Sequence, residues 1–327
     1  MRGFRFLLFA IAITILVPLQ GGAQEPAKVH RIGFLWPGSP AGAAASLEAL
    51  RKGLRDLGYE EGKSLDIAQR YANGAMNKLP ALVSDLVAAD VAVVITASIP
   101  SALAAMKATS TVPIVVGAAG DFVGNGLATS MQNPGGNVTG IDEFVPGLSA
   151  KRLELLNETV PVRSPVAVLS SATASTHTRQ MEESERVASS IGITLRTFRL
   201  STAANIEPAF ASMEKERVQA LLVFSGVLTA VNSKTVVEYA SKNRLPGMYW
   251  TLQFVNDGGL MYYGPKLPRM FERSAALVDR ILKGDKAGEI PIEYAKEFEL
   301  IINLKAAQEL GITVPESVLS KADRVIR

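Results

Sequence analysis

The chain has 327 residues, 48% of them hydrophobic and 20% charged, with 34 Lys and Arg against 31 Asp and Glu. That length predicts two domains, and a net charge of +3 is too balanced for a nucleic-acid surface, which needs a concentrated basic face. The absence of cysteine excludes disulfides, thiol catalysis and thiolate metal sites, two histidines leave little for a His-rich metal centre, and neither a metal nor a cofactor is expected.

Residues 1–23 read as a cleavable secretory signal peptide. Arg2 and Arg5 precede an apolar run from Phe6 to Val17, Pro18 ends the run, and Gly21-Gly22-Ala23 supplies small residues for cleavage. The run is short for a membrane span, and no cysteine stands at the cleavage point to take a lipid. The mature protein is therefore expected to be a soluble, nearly neutral, periplasmic monomer.

From there, compact apolar runs alternate with amphipathic stretches. Ile32–Trp36 reads as a buried strand, and Leu47, Leu50, Leu54 and Leu57 follow at helical spacing. Leu65–Tyr71 is a second strand, and Leu79, Leu82, Val83 and Leu86 stripe a second helix. Strands over Val91–Ile95 and Val112–Val116 flank a helix from Pro100 to Thr109. A second series begins near Pro165: strand Val166–Leu169, helix Thr176–Ser190, strand Ile193–Leu200, helix Ile206–Glu216, strand Ala220–Phe224 and helix Val227–Asn243. Helices between continuous apolar strands mean crossovers and parallel sheets covered on both faces. The expectation is an α/β fold of two doubly wound parallel-sheet lobes joined by a hinge. Lobe 1 takes 29–142 plus about 264–285, and lobe 2 takes 145–263 plus about 290–327. Asn133–Asn137 with Val138–Ile141 is the expected first crossing, and Tyr262–Pro265 the second.

In such sheets ligands bind beyond the carboxyl ends of the strands, where helix N-termini offer free N–H groups. Small and hydroxyl residues fill nearly all those positions here: Ser39, Ser98, Ser101, Ser171, Thr173, Ser175, Thr176 and Ser225. Two such rims facing each other suit a carboxylate, although each hydroxyl alone is also a fit helix cap. Asp121 is the one acid at a strand end, either receiving a ligand amine or hydroxyl or capping the turn that follows. Trp36, Trp250 and Phe254 are the aromatic candidates, Trp36 either stacking on a ligand or finishing the core. His177 has no nucleophile and orienting acid patterned around it. Gly58–Ser64 resembles a phosphate-binding loop but has one residue too few between its glycines and follows a helix, so it is a turn. Gly124-Asn125-Gly126 lacks the third glycine of a dinucleotide fingerprint. No Gly-x-Ser-x-Gly elbow occurs.

The chain resembles the substrate-binding proteins of ABC transporters that include the tryptophan and aromatic amino-acid binding type. The resemblance covers residues 29–326 and is carried by several motifs in order. They are Leu57-Gly58-Tyr59 with Glu61-Gly62-Lys63, Arg70-Tyr71-Ala72 with Gly74, and Pro134–Gly140. Lys151–Leu156, Gly258–Met261 with Tyr263-Gly264-Pro265, and Lys296 with Phe298–Lys305 follow. It implies a type I periplasmic-binding-protein fold, a small-molecule ligand, and a separate permease and ATPase as partners, with no enzymatic activity. The family's acid is retained as Asp121. Ser170-Ser171-Ala172-Thr173 stands where many relatives carry Trp-Asn-Pro, and Gln253-Phe254-Val255 also departs, so the ligand's identity does not carry over from aromatic amino-acid binders. The expected ligand is a small carboxylate: an amino acid, or an aromatic or other organic acid. A ligand-sensing module for a receptor, or an exported hydrolase using Ser170 or Ser225 with His177, are the alternatives.

Overall fold

The computed structural model describes residues 29–161 and 165–327; the signal-peptide segment lies outside them. In chain order the first half runs β1 His30–Trp36, α1 Pro40–Asp56, β2 Leu65–Tyr71, α2 Leu79–Ala88, β3 Val94–Ala97, α3 Ile99–Ala108, β4 Ile114–Ala119 and β5 Val138–Asp142. The second half runs α4 Leu148–Thr159, β6 Val166–Ser171, α5 His177–Ile191, β7 Leu195–Leu200, α6 Ile206–Lys215, β8 Ala220–Val223, α7 Val227–Val231, α8 Ser233–Lys242, β9 Gly247–Tyr249, α9 Leu252–Asn256 and β10 Met261–Pro265. The chain then adds α10 Leu267–Leu282, β11 Glu293–Tyr294, β12 Phe298–Asn303, α11 Leu304–Leu310, α12 Glu316–Leu319 and β13 Arg324–Ile326.

The strands form two sheets, ordered β11-β5-β4-β3-β1-β2 and β13-β12-β10-β9-β8-β6-β7. Every pairing is parallel except β10 with β12, which gives the α/β fold of two doubly wound lobes. The strands are buried because helices cover both faces of each sheet. On the first sheet, α1 and α10 cover one face around Phe34, Leu50 and Phe271, and α2 and α3 cover the other around Leu35, Val83 and Phe122. α1 and α10 approach closely at Gly53, where a Cβ would stand 2.5 Å from the Glu272 carbonyl oxygen and 2.7 Å from Ala275 Cβ. The second sheet is packed the same way, around Leu156, Phe224 and Ile302 on one face and Phe210, Val223 and Tyr249 on the other.

Several boundaries differ from the sequence expectations. β3 and β4 start at Val94 and Ile114, three and two residues later than the apolar runs, although Ala92 N–H already donates to the Arg31 carbonyl and the Val93 carbonyl accepts the Gly33 N–H. The expected long helix from Val227 breaks into α7 and α8 at Asn232, whose side chain donates to the Leu228 carbonyl and competes with the helical ladder. Val138–Asp142 is not a crossing but a strand of the first sheet paired with β4; the chain crosses just after it, through Glu143–Gly147. β11 also belongs to the first sheet: it pairs with β5, and Thr139 Oγ1 donates to the Ile290 carbonyl at 2.9 Å. The segment around 287–295 is thus attached to the first lobe rather than the second. Among the described residues, three connecting segments therefore join the lobes, at Glu143–Gly147, at Lys266 and between Tyr294 and Phe298.

Candidate functional site

The carboxyl ends of the strands in both sheets face each other across a cleft that holds two adjoining cavities. One, of about 290 Å³, is lined from the first lobe by Ser98, Ile99, Pro100 and Asn125 and from the second by Ser171, Thr173–Thr176, Ser225–Val227 and Val231. The other, of about 500 Å³, reaches from α1 and the start of α10 to Arg152, Tyr262, Glu299 and Arg324. Gly120, Glu143, Ser225 and Trp250 line both. The smaller cavity sits at the low end of small-ligand sites, which run from about 300 to 1,000 Å³.

On the first lobe the site is the start of α3. The first-turn N–H groups of this helix have no intrahelical acceptor, and Pro100 carries no N–H to leave unpaired. Ser98, which precedes the helix, has φ 73° and ψ 151°, a conformation that a side chain makes costly, by about 1–3 kcal/mol. Its N–H donates to the Ala118 carbonyl at 2.8 Å, and its Oγ lies 3.1 Å from Ser101 Oγ. The neighbouring β4 and the body of α3 therefore hold the residue in place.

On the second lobe the key residue is Gln180, fully buried on the first turn of α5. Its Oε1 accepts the Ser225 N–H at 3.1 Å. That bond orients the amide so that Nε2 donates to Thr176 Oγ1 at 2.7 Å and to Ser225 Oγ at 2.9 Å. Each hydroxyl thus has an acceptor position filled; their two oxygens also lie 3.2 Å apart, so one proton bridges the pair and the other is left to give. The Ser171 Oγ at the same wall is buried without a partner among the described residues. The wall is a donor surface, fit for an anion. Val227, Ala230 and Val231 of α7 and Ile99 opposite supply apolar contact.

The rims also touch. Asn125 Nδ2 donates to Ser175 Oγ at 3.2 Å, and the Arg179 guanidinium lies 5.0 Å from the Phe144 ring centroid and 3.8 Å from Asp121 Oδ1.

Ser98, Ser171, Thr173, Ser175, Thr176, Ser225 and Trp250 all line the cleft. Five other candidates do not. Trp36 is 8% exposed and packs against Phe34 and Phe271 in the α1–α10 core, because it shares a strand face with Phe34. Phe254 is fully buried and stacks on Tyr249 at 4.7 Å. Ser39 caps α1, accepting the Gly42 N–H. Ser101 is buried behind Ser98. Asp121 turns back to accept the Gly124 N–H at 3.1 Å, capping its own turn. His177 lies against Phe224, and its Nδ1 has no partner among the described residues; burial and Arg199 both lower its pKa. Ser170 Oγ is likewise unpartnered, and Ser225 Oγ is committed to Gln180 and Thr176, so neither hydroxyl forms a nucleophile–base pair with this histidine.

Sequence reasoning missed Gln180, Asn125, Arg152 and Glu143. Arg152, buried on α4, donates from Nε to the Tyr263 carbonyl of β10 at 2.7 Å, tying α4 to the strand that leads into the second crossing; burial pulls its pKa down to about 10. Asp142 accepts N–H bonds from Asp121, Phe122 and Phe144. Burial still pushes its carboxyl up to about 6. Glu143 follows on the crossing itself, and burial pushes its carboxyl up to about 7.

The profile of the family described as ABC transporter substrate binding protein matches residues 39–326. A tyrosine-binding protein of Clostridioides difficile (strain R20291) is 27% identical over 262 residues, 79% of this chain and 75% of that one. The structure of an ABC domain in complex with L-Trp from Streptococcus pneumonia superposes with TM-score 0.78 at 27% identity, covering 91% of this chain and all of that one. A conserved domain protein of Vibrio cholerae superposes with TM-score 0.77 at 26% identity over the same shares.

Proposed function

The chain belongs to the ABC transporter substrate binding protein family, and we propose that it captures an amino-acid-like solute in the interlobe cleft and delivers it to a membrane permease powered by a separate ATPase. The observation that carries the reading is the donor wall of Thr176 and Ser225, set by Gln180, facing Ser98 and the start of α3 across one cavity. A carboxylate between them receives charge-assisted hydrogen bonds from hydroxyls and helix N–H groups, each about 1.5–3 kcal/mol net. The tyrosine and tryptophan bound by two of its relatives fit this chemistry, and α7 with Ile99 provides apolar surface for a side chain.

A solute touching both lobes selects their closed arrangement by its differential affinity. The family supports a permease and an ATPase as partners, and the residue pattern of positions 1–23 supports periplasmic export; N-terminal sequencing of exported protein is expected to begin near Gln24. Mass spectrometry of protein purified under native conditions tests the ligand. The expected result is one stoichiometric small molecule bearing a carboxylate. Protein that carries none, and whose melting no L-amino acid shifts, overturns the reading.

A further inference from the structure

We propose that Glu143 receives a cationic group of the ligand, so that the cleft selects a primary amine beside a carboxylate, as in an α-amino acid, over the matching acid that lacks the amine. The inference rests on the cleft reading above and names the ligand class within it.

Position comes first. Glu143 lies where the chain leaves β5 to cross between the lobes, and its N–H donates to the Ala119 carbonyl at 2.8 Å, fixing the backbone against β4. Its side chain lines both cavities, and so does Ser225. One acid and one hydroxyl thus line the junction of the same two spaces, so a ligand there meets both an acceptor for an ammonium and a donor for a carboxylate.

Charge comes second. The carboxyl stands in a desolvated place, and the charge of Arg152 offsets only part of the cost of that burial. Arg152 is the nearest candidate from α4, but its Nε is given to the Tyr263 carbonyl and its Nη2 faces the Trp250 carbonyl at 3.5 Å. Asp142 on the same strand adds negative charge, and Tyr262 from β10 adds no positive charge. Around the larger cavity Lys266 is paired with Asp323 at 2.8 Å, and Arg269 with Glu272 and with Glu297 at 3.4 Å; Glu299 and Arg324 complete the charged lining. The net result is a carboxyl pushed up to about 7, an acid whose charge is poorly compensated by the protein alone. A ligand ammonium supplies what is missing. Asp142, by contrast, already accepts three backbone N–H groups. Asp121 accepts the Gly124 N–H and lines neither cavity.

The test is calorimetry on the full mature chain and its Glu143→Gln variant, with the twenty standard L-amino acids and their des-amino counterparts. For tyrosine and tryptophan these counterparts are 3-(4-hydroxyphenyl)propanoate and indole-3-propanoate. The variant is expected to lose about ten- to a hundredfold in affinity for the amino acid that wild type binds best, as removal of a charge-assisted bond requires, while its weak affinity for the des-amino acid changes little. Wild-type affinity for the amino acid is expected to fall about tenfold per pH unit below about 7, as Glu143 takes up its proton, and to level off above; in the variant the profile is flat. Equal wild-type affinity for an amino acid and its des-amino counterpart overturns the role of Glu143 and leaves the cleft reading standing. So does equal weakening of both by the substitution. Binding of neither series by wild type overturns the amino-acid reading itself.

Discussion

Ser98 allows backbone strain and ligand contact to be separated by two substitutions at one position. Both Ser98→Ala and Ser98→Gly remove the hydroxyl and its contact with Ser101 Oγ at 3.1 Å. Only alanine keeps a Cβ at φ 73° and ψ 151°, where a non-glycine residue costs about 1–3 kcal/mol. Glycine gives back about 0.5–1 kcal/mol through the greater freedom of its unfolded chain. The glycine variant is therefore expected to be more stable than the alanine variant by about 0.5–2 kcal/mol, read from urea unfolding midpoints at equal slope. Both are expected to bind the solute about tenfold more weakly, since about 1.4 kcal/mol is one decade and one charge-assisted bond is lost. An alanine variant as stable as the glycine variant refutes the strain at this residue. Wild-type affinity in both refutes the placement of the ligand's carboxylate beside it.

Replacing Arg152 by methionine leaves the Tyr263 carbonyl without its donor and is expected to cost about 2–4 kcal/mol of stability by urea unfolding; an unchanged midpoint contradicts the anchoring role. Glu143, with a folded pKa raised to about 7 from 4.5, favours folding when protonated, so its contribution is full below about pH 4.5 and is lost as pH rises through 7. Glu143→Gln is accordingly expected to stabilise the ligand-free protein at pH 8, by up to about 3 kcal/mol at 1.36 kcal/mol per unit and by less where water enters the cavity, with no gain at pH 4. A gain independent of pH, or none at pH 8, contradicts this. Gly140→Ala drives a Cβ into the Val116 carbonyl of the neighbouring strand and within 2.9 Å of Phe122 Cζ; the expected outcome is loss of several kcal/mol or failure to fold, read by circular dichroism and solubility.

The periodicity of the chain made most of the architecture legible. Short uninterrupted apolar runs rich in valine, such as Val166–Leu169, fit strands covered on both faces, and the leucine spacing of Leu47, Leu50 and Leu54 places α1 on its sheet. The return of α10 was readable from the same kind of stripe. The first crossing was not: Pro134-Gly135-Gly136 looks like a hinge, but Asn137 donates to the Thr109 and Val112 carbonyls and holds that turn against the first lobe.

Strand ends located the hydroxyl rims because the position alone defines them in a parallel sheet. What position cannot tell is which way a side chain turns. Trp36 and Asp121 both stand at strand ends, yet one joins the core beside Phe34 and the other closes its own turn. The alternation of Phe34 and Trp36 on one strand face was the available signal for the tryptophan. Gln180 was findable in principle, four residues after Thr176 and hence one turn along the same helix face. Glu143 had no such signal, since its importance arises from three crossing segments that are distant in sequence.

A crystal structure of the mature protein with its bound solute tests the central claim most directly. The account predicts the solute between the lobes, with its carboxylate within 2.7–3.2 Å of Ser98, a first-turn N–H of α3 and at least one of the Thr176 and Ser225 hydroxyls. A solute bound outside the cleft, or one that turns an uncharged group toward Ser98 and Thr176, contradicts it.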